Sequence, residues 1–420
     1  MNEKLLFTMN RIAEKLWFRP LIFCLLSILA ALIAQVADST RLHELVPKIN
    51  TESLEALLGT ISASMLVISI FAVGSMVSAF SAASNTATPR SFKLIIADDV
   101  SRNALSVFIG SFIYSIVATI ALNNGYYGIA GNFTLFIFTL LFFALVILTF
   151  LRWVERISRL GRMEHTIKLV EQATENALKN RLESPTLNGI RIDSNREKGS
   201  AVYGKITGYV QQIYMSKLQE IAERLDALIT INAVPGTFSA MDKPLFYILL
   251  NEKTSKEEDY NDLRKAFVIG NMRYFDDDPR FGLITLSEIA SRALSPAVND
   301  PGTAIQIISS HVRLFSLWAE TVDPKKEEKE EYDRIAVPEL AIGDLFEDAF
   351  RPIARDGAGN IEVMIRLQKA FNSVYAIDNS SMKIAAMYHS HESFERAEIA
   401  MELKEDLNKV KNEALFTKKS

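Results

Sequence analysis

The chain has 420 residues, 46 of them basic and 50 acidic, for a formal net charge of −4. That balance gives no global reason to expect a nucleic-acid partner, and the length allows two or three domains with a core that needs no covalent staples. The single cysteine, Cys24, lies in an apolar run, reads as a small hydrophobe, and excludes a disulfide framework or a CxxC site. Apolar residues are unevenly spread. Long apolar runs dominate from Phe18 to Leu151, and charged residues are regularly interspersed from Arg152 onward, so a membrane part is followed by a water-soluble part.

Residues 1–20 place Leu5, Met9, Ile12, Leu16 and Trp17 on one helical face with charges opposite, the pattern of an amphipathic segment lying in the membrane interface. A signal peptide is the rival reading of the run that follows. The long basic region and the lack of an Ala-x-Ala end argue against it. Crossing ~30 Å of hydrocarbon takes ~20 apolar residues. Four runs in residues 21–151 meet this requirement, at 21–37, about 54–83, 104–122 and 133–151. The second is longer than a bilayer needs, so it must tilt or protrude.

Lys4, Arg11, Lys15 and Arg19 precede the first run, Arg90, Lys93 and Arg102 lie between the second and third, and Arg152, Arg156, Arg159 and Arg162 follow the fourth. The other two loops hold Arg41 and Lys48. Lys and Arg are retained on the cytoplasmic side, so both termini are expected to face the cytoplasm. Between the second and third runs, Thr88 is placed to cap a helix with Pro89 first, and Phe92, Ile95, Ile96 and Val100 share a face.

Past Glu55, at the very start of the second run, the four runs contain no Asp, Glu, Lys, Arg or His. Proton-coupled carriers and voltage sensors depend on such groups, so the composition argues against both. The runs do carry hydroxyls. Ser62, Ser64, Ser69, Ser75, Ser78 and Ser81 lie in the second, and Ser111, Ser115 and Thr119 recur at i+4 in the third. Helix packing is the commoner use of such residues, as in Gly74-xxx-Ser78, and a water-lined path is the other. On the second reading the pore-lining candidates are Ser64, Ser75, Ser111, Ser115 and Thr119.

Residues 152–184 read as one helix continuing out of the fourth run and connecting the parts rigidly, and 185–200 as a loop. Residues 201–275 form a small α+β module with strands at 201–210, 227–233 and 244–250 and a helix at 217–225. Residues 276–420 are mainly helical. Helices at 279–294 and 303–320 flank a turn in which Asp300 is the cap and Pro301 the first helical residue. Residues 325–331 form a solvated charge run, and further helices begin near 342. The fold class is therefore an α-helical membrane protein, with four transmembrane helices followed by an α+β cytoplasmic domain whose C-terminal section is helical.

No phosphate-binding loop, nucleophile elbow, HExxH or dinucleotide fingerprint is present, and an enzyme is not expected. Among the five histidines, His389 and His391 are the close pair, and at i, i+2 on a helix their rings point apart, so no metal is expected. Asp276, Asp277 and Asp278 precede Pro279 and read as solvated caps of a positive helix end. The turn at 299–303 could cradle a phosphate, but its capping acid disfavours an anion. No cofactor is expected.

Thr-Pro-Arg at 88–90, Gly-Tyr-Val-Gln at 208–211, Pro-Gly-x-Phe at 235–238, Phe281-Gly282 and Ala-Leu-Ser-Pro-Ala-Val-Asn-Asp-Pro-Gly-Thr-Ala at 293–304 are spread over both the membrane part and the soluble part of the chain. On these stretches it resembles the uncharacterised bacterial membrane-protein family called domain of unknown function 2254. The resemblance implies several N-terminal helices and a cytosolic domain and supplies no activity. It leaves Pro89, Arg90, Phe281, Gly282, Ser295, Pro296, Asn299, Asp300, Pro301 and Thr303 as motif residues without a role. The family pattern has Arg two before the glycine of Pro-Gly-x-Phe and Asp directly after it. This chain has Val234 and Thr237 there, so a ligand role for those charges does not carry over.

The leading expectation is a homo-oligomeric pore or channel-like inner-membrane protein with a cytoplasmic regulatory domain, because four helices are too few to enclose a hydrated path alone. The alternative is a membrane-anchored scaffold or sensor whose cytoplasmic domain binds a partner or small ligand. The expected partners are the lipid bilayer and a second copy of the chain.

Overall fold

The structure, a computed structural model, describes residues 12, 15, 17–39, 44–96, 98–192, 199–250, 257–321 and 330–418. Most of the amphipathic segment expected at 1–20, together with Arg41, His43 and the greater part of the 325–331 charge run, lies outside the described residues. The chain divides into two compact units, Met1–Thr166 and Ile167–Ser420.

The first unit contains α1 (Phe18–Val36), α2 (Thr51–Thr86), α3 (Phe92–Ile96), α4 (Asp99–Asn123) and α5 (Ile129–Ile157). Four of these, α1, α2, α4 and α5, are long and apolar enough to cross a membrane, and they coincide with the four apolar runs. The second is again the longest: its 36 residues would span about 54 Å at ~1.5 Å each. Helix α4 is central and packs against α1, α2 and α5. On α2 the buried residues Leu54, Leu58, Ile61, Met65, Ala72, Met76 and Ala83 recur at steps of three, four or seven residues, which makes one stripe facing the bundle.

The helix ends are tied by side chains. Asn50 accepts from the Glu52 and Ser53 backbones at 2.8 and 3.2 Å. Asp98 caps α4 by accepting from the Ser101 amide at 3.0 Å and also takes the Arg156 Nε of α5 at 2.7 Å. Asp38 accepts from the Gly128 and Gly131 amides at 2.7 and 2.8 Å, so a residue just past α1 caps α5. Within the bundle, the Tyr114 hydroxyl lies 3.1 Å from both the Leu135 carbonyl and the Thr139 hydroxyl, which joins α4 to α5.

Two expectations need correction here. Thr88 does cap, accepting from the Arg90 amide at 3.3 Å, but what it starts is a 3-10 turn over Pro89–Ser91 followed by the five-residue α3. Asp98 then begins a new helix, so Val100 belongs to α4 and the expected amphipathic face is not continuous. The single helix expected over 152–184 is interrupted. Helix α5 ends at Ile157, and α6 (Met163–Glu183) begins afresh after Gly161, whose φ of +88° is a left-handed conformation that ends a helix.

The second unit continues with β1 (Gly189–Arg191), β2 (Ser200–Tyr203), β3 (Gly208–Ile213), α7 (Met215–Arg224), β4 (Ala227–Ile231), β5 (Phe238–Ser239), β6 (Pro244–Leu250), α8 (Glu257–Lys265) and β7 (Phe267–Gly270). Then come α9 (Pro279–Ala293), α10 (Pro301–Thr321), β8 (Tyr332–Val337), α11 (Ile342–Asp356), α12 (Ile361–Tyr375), α13 (Ser380–Ala400) and α14 (Lys404–Glu413). One sheet has five strands in the order β1-β8-β4-β6-β2, and the other has three in the order β5-β3-β7. In the first sheet β8 runs parallel to both β1 and β4, and the remaining pairs are antiparallel.

The single strand expected over 201–210 is two strands belonging to different sheets. Strand β8 matters more. It comes from the section expected to be helical, yet it sits between β1 and β4 with Ile335, Ala336 and Val337 buried. The modules assigned to 201–275 and 276–420 therefore share one sheet and are not separate. The helical section packs around Phe315, Phe346, Phe350 and Phe371, whose rings approach one another with centroids 4.7–5.5 Å apart.

Candidate functional site

Three of the motif stretches, far apart in sequence, meet in one corner of the second unit. Strand β3 carries Gly-Tyr-Val-Gln, and the Pro235-Gly236 turn folds back on it. The Gly236 amide donates to the Val210 carbonyl at 2.8 Å and the Val210 amide to the Thr237 carbonyl at 2.9 Å. The Tyr209 and Phe238 rings meet edge to face with centroids 5.1 Å apart. The strained point is Gly236, with φ of +91°. A Cβ there would also collide with the Asp278 carboxylate, so glycine is what lets the turn lie directly on the start of α9.

Asp278 holds the corner together. Its Oδ1 accepts from the Phe281 amide at 3.1 Å, capping α9, and its two oxygens receive Arg273 Nε and Nη2 at 2.6 and 2.8 Å. It is only 4% exposed, which corrects the expectation of a solvated cap; Asp276 and Asp277 are exposed. Burial pushes the Asp278 carboxyl upward, against the pull of Arg273. The Arg273 guanidinium also stands over the Phe281 and Tyr209 rings, at 5.3 and 5.9 Å.

Between these parts lies a cleft of about 270 Å³, lined by Arg181, the residues from Val234 to Phe238, Arg273, the residues from Asp277 to Arg280, and Leu340. Arg280 reaches from its wall to Asp348 (Nε at 2.6 Å) and Asp344 (Nη1 at 2.6 Å) on α11. Arg181, near the end of α6, is 7% exposed. Its Nη2 donates to the Pro338 carbonyl at 2.7 Å, while its Nε is buried without a partner. Burial pulls its pKa down to about 10, with Glu339 and Asp277 acting in the opposite sense, so the guanidinium is charged at neutral pH.

The other motif residues serve packing and connection. Gly282 lets α9 lie against α6, since a Cβ there would run into the Thr174 side chain. Asp300 accepts from the Thr303 amide at 3.1 Å and the Thr303 hydroxyl at 2.6 Å, capping α10 as the sequence implies. Asn299 supplies the left-handed step before it with φ of +50°, its amide donating to the Ser295 carbonyl at 2.9 Å, and Ser295 Oγ closes on the Arg292 carbonyl at 2.7 Å. The stretch from Ser295 through Pro296 to Pro301 is thus a self-bonded connector between α9 and α10. Pro89 and Arg90 are exposed in the first unit.

The five pore-lining candidates do not share one environment. Ser111 and Ser115 are buried inside the helix bundle with hydroxyls that have no partner, as is the Ser69 hydroxyl. Thr119 is half-buried and donates to the Ser115 carbonyl at 2.8 Å. Ser75 is half-buried on α2, and Ser64 is exposed on its outer face. Among the described residues no group of three or more His, Cys, Asp and Glu is placed to hold a metal. His389 is buried on α13 and His391 is exposed on the same helix.

The sequence reading missed Arg181, Arg273, Asp278 and Arg280 as a group. Two local signals were available: a Pro-Gly turn, which demands a left-handed glycine, and an Asp-Pro helix start, which demands a capping carboxylate.

No solved structure matches the chain. Two uncharacterised proteins of Mycobacterium tuberculosis and one of Mycobacterium bovis are each 58% identical to it over 40 residues. Those 40 residues are 10% of this chain and 8% of each relative, so the chain matches only a small part of their length. The family described as predicted membrane protein (DUF2254) matches residues 13–373, and the chain belongs to that family.

Proposed function

We propose that this is a membrane-anchored binding protein, in which the four apolar helices hold the chain in a bacterial inner membrane and the second unit, on the cytoplasmic side, receives a small ligand in the cleft beside Gly236. The observation that carries this reading is one concave site, walled by the Pro235-Gly236 turn and the start of α9, that holds a buried, incompletely partnered arginine. Nothing in the site pairs a nucleophile with a base, which favours binding over catalysis.

Filling the cleft tests the proposal. Wild-type protein and Thr237→Trp are purified from the same host and denatured, and the released small molecules are compared by mass spectrometry. A species enriched only with the wild type supports the reading; identical sets would rule it out. The orientation rests on the Lys/Arg asymmetry. With Cys24 replaced, a cysteine at Asn124 should be labelled by an impermeant reagent from outside, and one at Glu362 only after the membrane is opened. Labelling of position 362 in intact cells would reverse the orientation.

A second reading, a homo-oligomeric pore regulated by the second unit, is favoured by buried hydroxyls without partners along the apolar helices, among them Ser69, Ser111 and Ser115. Such groups in hydrocarbon are costly unless water or another chain reaches them. Reconstituted wild type should then pass ions in liposomes, and Ser115→Leu should assemble normally and pass none. Wild type that conducts under no tested potential, tension or pH removes this reading.

A further inference from the structure

The three guanidinium groups of the cleft are not equivalent. Arg273 has the two oxygens of Asp278, and Arg280 has Asp348 together with Asp344. Each of these forks is filled by a carboxylate of the chain itself. Arg181 is the most deeply buried of the three, and among the described residues no carboxylate hydrogen-bonds to it. It has one carbonyl and an unpartnered Nε. A buried guanidinium without a fork partner is unfavourable, and the group that best completes it is a planar oxyanion.

We infer that the cleft takes a small carboxylate-bearing metabolite whose carboxylate seats on Arg181, an inference that rests on the ligand-binding reading above. Two further observations narrow the class. The volume of about 270 Å³ lies at the small end of ligand sites, which suits a molecule of a few carbons rather than a dinucleotide. Asp277 and Glu339 both act on Arg181 through space, so the surroundings favour one negative charge over several and a carboxylate over a phosphate dianion. Thr237, half-exposed on the cleft wall, brings a hydroxyl to the same space.

Full-length protein in detergent is titrated calorimetrically with sodium acetate, lactate, succinate and glutamate, and with sodium phosphate and glycerol at matched ionic strength. At least one carboxylate should bind, and its affinity should fall about tenfold or more in Arg181→Gln, the scale of a lost charge-assisted fork. Thr237→Asp leaves Arg181 in place, adds a fixed negative charge to the wall, and should weaken binding similarly; it carries the test if Arg181→Gln does not fold. No carboxylate binding up to about 10 mM, unchanged affinity in Thr237→Asp, or preferential binding of phosphate would each overturn the inference. Glycerol binding lost on filling the cleft would also overturn it, while leaving the ligand-binding reading intact. Identical small molecules released from wild type and Thr237→Trp would remove the reading itself.

Discussion

The two units bury apolar side chains alike and differ in what their surfaces carry. In the first, the interior mixes small residues such as Ala31, Ala34, Ser111, Ser115 and Ala118 with Leu54, Leu58, Phe108, Tyr114 and Trp153, and the outside carries Leu25, Leu29, Leu32, Val67, Ile70 and Phe71. In the second, the phenylalanines of α10, α11 and α12 are buried and the surface carries ion pairs such as Arg313 with Glu171 at 2.6 Å. Where lipid surrounds a bundle, burying a leucine gains little and close backbone approach decides which face turns inward. Where water surrounds it, apolar burial decides. Helical periodicity alone does not distinguish these cases; the surroundings do.

Enlarging a glycine in each unit should show the sharpest difference. Gly282→Val forces a branched side chain into Thr174 and should destabilise the second unit by about 3 kcal/mol or more, read as a fall in its thermal midpoint. Gly74 has nothing within 4 Å of an added Cβ, so Gly74→Val should change stability by only about 0.5 kcal/mol. If Gly74→Val instead dissociates an oligomer, the open face of α2 packs on another copy, and the contrast between lipid-facing and packed surfaces must be redrawn.

Acid should act on the second unit through its buried histidines. Burial pulls the pKa of His311 down to about 3 and that of His389 down to about 4. The unfolded chain binds these protons near pH 6.5, whereas the folded chain does not until pH 4 or below. Stability is therefore complete above neutrality and declines as pH falls below about 6.5, by up to ~1.4 kcal/mol per unit for each histidine. Between pH 6.5 and 5.5 the loss should approach about 2 kcal/mol, and His311→Asn should remove roughly half of it. An acid dependence unchanged in His311→Asn would mean that the ring is not held neutral. A smaller effect is expected at the caps: Asp300→Ala should cost about 1 kcal/mol. Because Asp300 lies in a self-bonded connector, ligand binding at the cleft should be untouched, and loss of binding without loss of stability would make Asp300 a site residue.

How much was legible follows the same division. Each membrane span is a local property of some twenty residues, so the apolar runs locate α1, α2, α4 and α5 directly. The break at Gly161 had a local signal as well, a glycine in an otherwise helical run. Strand β1 is three residues long in a polar stretch, and β8 follows a charge run, so neither has enough alternation to stand out from its surroundings. The cleft was illegible for a further reason. Arg181 ends a helix, Gly236 sits in a turn and Asp278 starts another helix, and each looks like ordinary punctuation until the sheets bring them together.

The placement of β8 also sets an order of events during synthesis. Ile229 on β4 pairs with Ile335 on β8, a separation of about 100 residues that takes ~5–20 s to translate. Throughout that interval one edge of β4 has no partner, an exposed template for pairing with another chain. Chains stalled or cut between residues 231 and 332 are therefore the form of this protein most prone to aggregate.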